Sequence, residues 1–358
     1  MSFVLRRRLA GGWRAGFPLI VVAALLIGVT TISILGRTPS GGPQPSDDLA
    51  PSPGISGLGG SLGPAQSIEA AASRQSGTAL SPQASPAARP SAPPVATRQV
   101  WWIILENHEY GSIIGNDRAP YVNALAARYG LATNYYATSH PSEPNYVALV
   151  AGSTLGVVSD GVYHLQAPSL FSQLQAVGRT WRVYAQDDQT GCFTGTSAGG
   201  GSDGPGAPGI YARKHNPAIS FTSVAGSPAQ CQNIAPLRDF DPAAGVFEMI
   251  VPNLTNDMHD GTIAQGDAFL RAFVPGIIAS SAFRTGGVLF ITFDEGSSSA
   301  GSRGDAGGHV ATLIIASDMT PGYRDRAYLD HWALLRTTEE VLGLPCLADS
   351  CRSTLIGL

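Results

Sequence analysis

The sequence predicts an α/β fold, a three-layer sandwich with a mostly parallel central sheet, over residues 99–358. Several apolar runs of strand length are continuous rather than alternating, which is typical of strands buried on both faces. They lie at 100–105, 181–185, 247–251, 287–293 and 311–316. Helical patterns separate them, at 120–129, about 142–152, 169–177, 265–274 and 329–342. Strands that alternate with helices predict a parallel sheet covered by helices.

The first 35 residues predict a membrane anchor. Four arginines precede the uncharged apolar run 17–35, which is long enough to cross a bilayer as a helix. Positive charge ahead of this run predicts that residues 1–16 remain in the cytoplasm and that the protein is a single-pass membrane protein. The alternative is a cleaved signal peptide and a secreted product. In both cases the rest of the chain lies outside the cytoplasm.

Residues 36–98 are rich in Pro, Ser, Gly and Ala and contain little charge. Such a segment buries too little apolar surface to offset the entropy of ordering its chain. We expect a disordered linker between the anchor and a catalytic domain at 99–358.

The four cysteines form a middle pair and a C-terminal pair. In an exported protein the simplest arrangement is Cys192 with Cys231 and Cys346 with Cys351, although two other pairings remain open. No Cys-x-x-Cys spacing supports a zinc site. The net charge of −4 and the absence of a basic stripe argue against nucleic acid as a partner, and nothing indicates a protein partner.

Acidic residues follow two of the predicted strands. Glu106 and Asn107 come after the first strand, and Asp294 and Glu295 come after the strand at 287–293. Ligands of open α/β sheets gather at the carboxyl ends of the strands. Adjacent carboxylates repel each other unless a cation or a proton compensates. The four residues therefore predict a site for a divalent cation of unidentified type, with a polar loop as the alternative reading.

Ser142 stands at the start of a predicted helix. It reads as the N-cap, with Pro144 in the first turn. A helix N-terminus attracts anions, so a serine there is a candidate nucleophile for a phosphoryl group beside the predicted cation. The alternative is a purely structural cap.

Two loops carry further candidates. Lys214 and His215 lie in a long irregular segment. They are able to present a cation and an imidazole to an anionic substrate. The alternative is that they belong to a solvated loop. Asp257 and His259 follow a strand and suit metal or phosphate binding, or an Asx turn. Asp257, His259 and His309 together are able to form a second metal site.

Six motifs occur in an order that resembles the phosphoesterase family of bacterial and fungal acid phosphatases and phospholipases C, within the alkaline-phosphatase-like superfamily. They are Glu106-Asn107, Pro120-Tyr121, the run from His140 to Tyr146, the run from Lys214 to Pro217, the run from Asn256 to Asp260, and the run from Phe293 to Gly296.

The resemblance implies a phosphoserine intermediate on Ser142 and metal ligands at Glu106, Asn107, Asp294 and Glu295. Some relatives carry aspartate where this chain has Glu295, which puts the coordination geometry in question. His259 and His215 match histidines around the phosphate. Residues expected to bind the phosphate ester substrate are Lys214, His140, Asn145, Asp257 and His309.

The chain is short beside the phospholipases C, which favours phosphomonoesters. Phospholipase C-type cleavage of diesters is the alternative. A different class is a surface binding protein that kept the fold and lost catalysis.

Overall fold

The structure is a computed structural model that describes residues 98–188, 190–198, 210–300 and 306–358. The predicted cytoplasmic segment 1–16, membrane anchor 17–35 and nearly all of the linker 36–98 lie outside these ranges. Within them, none of the helices combines the length and the hydropathy of a membrane span.

Twelve strands are present in the described ranges. They are β1 (Val100–Leu105), β2 (Gly130–Ala132), β3 (Tyr135–Tyr136), β4 (Trp181–Ala185), β5 (Ser197–Ala198), β6 (Tyr211–Ala212), β7 (Ile234–Pro236), β8 (Phe247–Val251), β9 (Val288–Phe293), β10 (Thr312–Ala316), β11 (Tyr323–Asp325) and β12 (Leu329–Asp330). Eight of them form one sheet in the order β11-β2-β10-β9-β1-β8-β4-β7. Two small sheets pair β12 with β3 and β5 with β6.

The central sheet is mostly parallel, as predicted. Of its seven neighbouring pairs, only β9 with β10 and β10 with β2 are antiparallel. The bounds of β1, β4 and β8 agree with the predicted runs, and every residue of β1, β8 and β9 is buried. Complete burial explains why these strands are apolar along their whole length.

Nine α-helices connect these strands in the described ranges. They are α1 (Tyr110–Ile113), α2 (Pro120–Arg128), α3 (Ser142–Ala151), α4 (Leu170–Ala176), α5 (Thr222–Ala225), α6 (Pro228–Cys231), α7 (Ile263–Ala279), α8 (Ser281–Arg284) and α9 (His331–Leu342). Short 3₁₀ segments lie at Arg213–His215, Pro217–Ser220, Leu237–Asp239 and Ala348–Arg352.

Helices cover both faces of the sheet, and two tryptophans of β1 show this directly. Side chains alternate between the faces of a strand. Trp102 donates its indole N–H to Thr338 Oγ1 of α9 at 3.1 Å, whereas the next residue back, Trp101, contacts Phe283 of α8 with ring centroids 6.4 Å apart. Both tryptophans are fully buried.

Two predicted helix bounds are wrong. The helix predicted at 265–274 is α7, which continues through Pro275 to Ala279. A proline inside a helix costs about 3 kcal/mol, but Val274 and Ile277 are fully buried, and burial of two such side chains offsets that cost. The helix predicted from residue 329 begins at His331, because Leu329 and Asp330 pair with β3 and the Asp330 side chain accepts from Ala333 N.

The predicted N-cap is also displaced by one residue. Pro141 occupies the N-cap position, and Ser142 is the first residue of α3 without a capping hydrogen bond. Pro144 lies in the first turn, as expected. The helix ends at Gly152, which has a φ of 69°, a conformation that glycine adopts without strain. The Ser142 hydroxyl is therefore available for contacts outside its own helix.

Both predicted disulfides are present. Cys192 is bonded to Cys231, and Cys346 is bonded to Cys351. The first bridge closes the long irregular segment between β4 and β7, and the second closes a short C-terminal loop beside α9.

Candidate active site

Two adjacent strands deliver the acidic residues to one edge of the sheet. In the parallel pair β1–β9, Leu105 lies opposite Phe293, so the residues after them meet. Asn107 N donates to Asp294 Oδ1 at 3.1 Å. Glu106 and Asp294 are fully buried. The register of this pair thus brings Glu106, Asn107, Asp294 and Glu295 together.

Ser142 lies against these acids. Its Oγ is 3.2 Å from Glu106 Oε2 and 3.3 Å from Glu295 Oε1. The serine is 1% exposed. A hydroxyl between two carboxylate oxygens has acceptors for its proton on either side, which is the arrangement a serine nucleophile needs.

Asn145 fixes the loop that leads into Ser142. Its Oδ1 accepts from the backbone N–H groups of Thr138 and Ser139 at 2.9 and 2.8 Å. Its Nδ2 donates to the carbonyls of Ser139 and Pro141 at 2.8 and 3.1 Å. These four bonds use both donor hydrogens and both acceptor lone pairs of the side-chain amide. We infer that Asn145 positions this loop, and its predicted contact with substrate stays a prediction.

Two histidines, His215 and His259, lie close to Glu106. His215 Nε2 is 3.3 Å from Glu106 Oε2, and His215 Nδ1 is 3.3 Å from Asp257 Oδ2. Burial lowers the pKa of His215 well below its ordinary value, with nearby Lys214 and His259 adding to the effect. The His259 ring centroid lies 5.7 Å from that of His215. The His259 side chain is 27% exposed, and its Nδ1 lies 2.7 Å from Asp260 Oδ1.

The acid cluster consists of Glu106, Asp257, Asp294 and Glu295, and its environment disfavours the ionised form of these carboxyl groups. Burial raises the pKa of Glu106 well above its ordinary value, and the charges of Asp294 and Asp257 raise it further. Burial is also the main cause that raises the pKa of Asp257 and of Asp294 to about 7. The pKa of Glu295 is raised for the same reason. Buried carboxylates of like charge require a compensating cation or proton.

The residues present fit a divalent cation. Ligating atoms of Glu106, His215 and His259 all lie within 4.8 Å of one another. Within the described ranges, Asn107 Oδ1, Asp257 Oδ2 and Asp294 Oδ2 are buried without a hydrogen-bond partner. Unpaired buried oxygens are costly, and carboxylate, amide and imidazole donors together suit Mg²⁺, Mn²⁺, Fe²⁺ or Zn²⁺ better than a monovalent ion.

Three of the predicted substrate-binding residues already have protein partners. His140 pairs with Glu295 through Nδ1 and lies 3.1 Å from the Ser298 carbonyl through Nε2. Lys214 Nζ bonds Asp160 Oδ2 at 2.9 Å. His309 stacks between Tyr110 and Tyr136, with ring centroids 4.5 and 5.0 Å away, and its Nε2 lies 3.2 Å from the Thr133 carbonyl. These contacts of His309 are with two tyrosine rings and a backbone carbonyl, and none of them involves the acid cluster.

Sequence reasoning missed two side chains that shape the site. The Tyr146 hydroxyl donates to Glu106 Oε1, and its ring stacks on His215 at 5.3 Å. His331 is fully buried, donates from Nε2 to the Asp294 carbonyl at 2.6 Å, and lies 3.0 Å through Nδ1 from the Tyr135 hydroxyl. Tyr146 ends the motif that begins at His140 but was given no role there, and His331 stands within a predicted helix that carried no local signal of function.

The comparison with known protein families decides the assignment. A model of the Phosphoesterase family matches residues 111–345, which is more than half of the chain. The chain belongs to the Phosphoesterase family. This membership confirms the predicted enzyme class, a hydrolase that acts on phosphoric ester bonds.

Curated relatives agree with this family. A protein of Mycobacterium tuberculosis named Phosphatidylinositol-3-phosphatase is 33% identical over 245 residues, which cover 68% of this chain and 76% of the relative. A probable acid phosphatase of Kluyveromyces lactis is 28% identical, over 70% of this chain and 60% of the relative. An acid phosphatase of Aspergillus fumigatus is 27% identical, over 70% of this chain and 55% of the relative. The chain thus spans little more than half the length of these two fungal relatives.

Among solved structures, a protein of the alkaline phosphatase superfamily from Vibrio parahaemolyticus superposes with a TM-score of 0.48 and 13% identity. The match covers 73% of this chain and 71% of that protein.

Proposed function

We propose that this chain is a metal-dependent phosphomonoesterase that acts outside the cytoplasm through a phosphoserine on Ser142. One observation carries the proposal: the Ser142 hydroxyl lies 3.2 and 3.3 Å from carboxylate oxygens of Glu106 and Glu295, within a buried acid cluster. The names of the mycobacterial and fungal relatives support a phosphate ester as substrate.

The residues that would hold the cation are Glu106, Asn107, Asp294 and Glu295. A bound divalent cation would supply positive charge that offsets the acid cluster and stabilises phosphoryl oxygens. His331 and Tyr146 would orient this set, because each bonds one of its members and is itself buried.

In the first half of the reaction, Ser142 Oγ attacks phosphorus and its proton passes to one of the two carboxylate oxygens beside it. The bond between phosphorus and the alcohol oxygen breaks. His259 is the side chain suited to protonate this oxygen, because it is partly exposed and its Nδ1 faces Asp260, which leaves Nε2 for the alcohol. His215 is buried and neutral, so we assign it to holding Glu106 and Asp257 in place.

In the second half, water attacks the phosphoserine, gives a proton to His259, and releases phosphate as Ser142 recovers its own proton. The same imidazole thus acts first as an acid and then as a base.

The proposal extends to location and to the rest of the chain. The apolar run 17–35 and the two disulfides favour an anchored domain in an oxidising compartment. Residues 1–16 would face the cytoplasm, residues 36–98 would act as a spacer, and residues 99–358 would form the catalytic domain.

The test compares Ser142→Ala with Ser139→Ala, a serine three residues earlier whose hydroxyl bonds the His140 carbonyl. With p-nitrophenyl phosphate as substrate, Ser142→Ala should lower kcat by roughly 10³-fold or more, and Ser139→Ala should stay near the wild type. Unchanged turnover by folded Ser142→Ala would refute the mechanism.

Two further measurements complete the test. Chelation followed by restoration ion by ion should abolish and then recover activity. A p-nitrophenyl phosphocholine diester should be a poor substrate. A preference for this diester would favour the phospholipase C alternative.

A further inference from the structure

A pocket of about 280 Å³ is lined by the loop that bonds Glu143, the residue after Ser142, and the mechanism above leaves this pocket unused. One wall is the loop with Asp160 and Val162, and the other is the segment with Arg213 and Lys214. Its lining surface is mostly apolar, and the charged side chains in that lining are Arg213, Lys214 and Asp160.

The pocket is rigidly joined to the serine. Glu143, the residue after Ser142, donates its backbone N–H to Asp160 Oδ1 at 3.1 Å. In return, Gly161 N donates to Glu143 Oε2 at 2.7 Å. This pair of reciprocal bonds fixes the loop to the first turn of α3. A group bound in the pocket would therefore lie at a fixed distance from the attacking oxygen.

Lys214 presents an ammonium group on the wall of the pocket. Asp160 Oδ2 accepts from its Nζ at 2.9 Å, and the Lys214 side chain is 23% exposed. An ammonium has three donors, so this bond orients the lysine and leaves donors for a second acceptor. Lys214 is the only lysine of the chain.

Arg213 supplies the stronger indication of a ligand. It is 2% exposed and donates from Nη2 to the carbonyls of Tyr163 and Ile219, at 3.0 and 3.2 Å. In the described part of the chain, its Nε and Nη1 are buried without a hydrogen-bond partner. A buried guanidinium with unpaired N–H groups is costly, and an anion bound beside it removes that cost.

We propose that this pocket binds a second anionic group, a phosphate or phosphodiester, carried by the alcohol that leaves the reaction. The preferred substrates are then phosphomonoesters with a second negative charge, and Val162 contacts the carbon frame between the two groups. This inference rests on the proposed function, because it takes Ser142 as the nucleophile.

The test measures binding rather than turnover, in Ser142→Ala protein loaded with its cation. Calorimetry would compare myo-inositol 3-phosphate with myo-inositol 1,3-bisphosphate. A charge-assisted bond to the second anion predicts roughly tenfold tighter binding of the bisphosphate. Adding Lys214→Met should remove most of this preference, and adding Arg213→Lys should reduce it. Arg352→Met, which changes an exposed arginine outside the pocket, should leave it unchanged.

Equal binding of the two ligands, or a preference that Lys214→Met leaves intact, would overturn the subsite. The outcome does not depend on catalysis, so it is separate from the proposed function. That function would fail on its own if the wild type hydrolysed neither inositol phosphate.

A third ligand identifies the source of the second anion. Dibutanoyl phosphatidylinositol 3-phosphate carries the second anion as a lipid phosphodiester. Binding tighter than that of the bisphosphate assigns the subsite to a lipid headgroup, and weaker binding assigns it to a soluble bisphosphate.

Discussion

Asn145→Asp tests whether the loop before Ser142 is held by one side chain. The substitution keeps the size of the side chain and the oxygen that accepts from Thr138 and Ser139. It removes the donors to the Ser139 and Pro141 carbonyls, which lie 2.8 and 3.1 Å away. Those two carbonyls then face a carboxylate oxygen in a site where Asn145 is fully buried.

The magnitude follows from the two lost bonds. A buried group left unpaired costs about 1–3 kcal/mol, so the variant should lose about 2–6 kcal/mol of unfolding free energy. A domain of this kind has about 5–15 kcal/mol in total, so it should still fold. A displacement of Ser142 by about 1 Å should lower kcat roughly 10²-fold.

Asn123→Asp provides the matched control. Asn123 Nδ2 donates to the carbonyls of Ile113 and Ala119, at 3.0 and 2.8 Å, and its Oδ1 accepts from Gly115 N. Both variants should lose stability in urea unfolding, but only Asn145→Asp should lose kcat. A folded Asn145→Asp protein with normal kcat and a raised KM would refute the positioning role and restore the predicted contact with substrate.

Three further outcomes are expected. Tyr146→Phe removes the hydroxyl that bonds Glu106, so half-maximal activity should require roughly 10–100-fold more divalent cation. Glu248 lies in β8, is fully buried, and accepts from Trp101 Nε1 at 3.1 Å. Burial raises its pKa to about 8, so the folded state retains a proton that the unfolded state releases. Stability is then full below about pH 4.5 and falls as the pH rises to about 8, by on the order of 5 kcal/mol relative to Glu248→Gln in denaturant titrations. Replacing Cys192 and Cys231 by alanine should cost up to about 4 kcal/mol, because the bridge joins positions 39 residues apart.

Each of these outcomes has a clear opposite. An unchanged cation requirement in Tyr146→Phe would place the cation away from Glu106. Parallel pH profiles for the wild type and Glu248→Gln would show that Glu248 remains ionised in the fold. Equal stability of the double alanine variant would show that the middle disulfide does not restrict the unfolded chain.

The sheet was predictable because burial on both faces makes its central strands continuously apolar. The runs at β1, β4 and β8 ended where the strands end, and the acids after β1 and β9 pointed to one edge of the sheet. Helix ends were less predictable. α7 passes through Pro275, since the burial of Val274 and Ile277 depends on tertiary packing that local sequence does not reveal.

Within the site, the residue types were predictable and several roles were not. Asn145 bonds its own loop, so its role depends on the conformation of that loop. His309 lies between Tyr110 and Tyr136, which are distant along the chain. Asp160 gave no signal, since its partners Glu143 and Lys214 lie 17 and 54 residues away along the chain. Long-range pairs of this kind are set by topology and not by local pattern.

The most direct test of the central claim is detection of the phosphoserine. Enzyme mixed with a phosphomonoester in excess would be quenched in acid within one turnover, digested and analysed by mass spectrometry. The account predicts phosphate on the peptide that contains Ser142, and none in Ser142→Ala. Full turnover with no phosphorylated Ser142 at any quench time would contradict it.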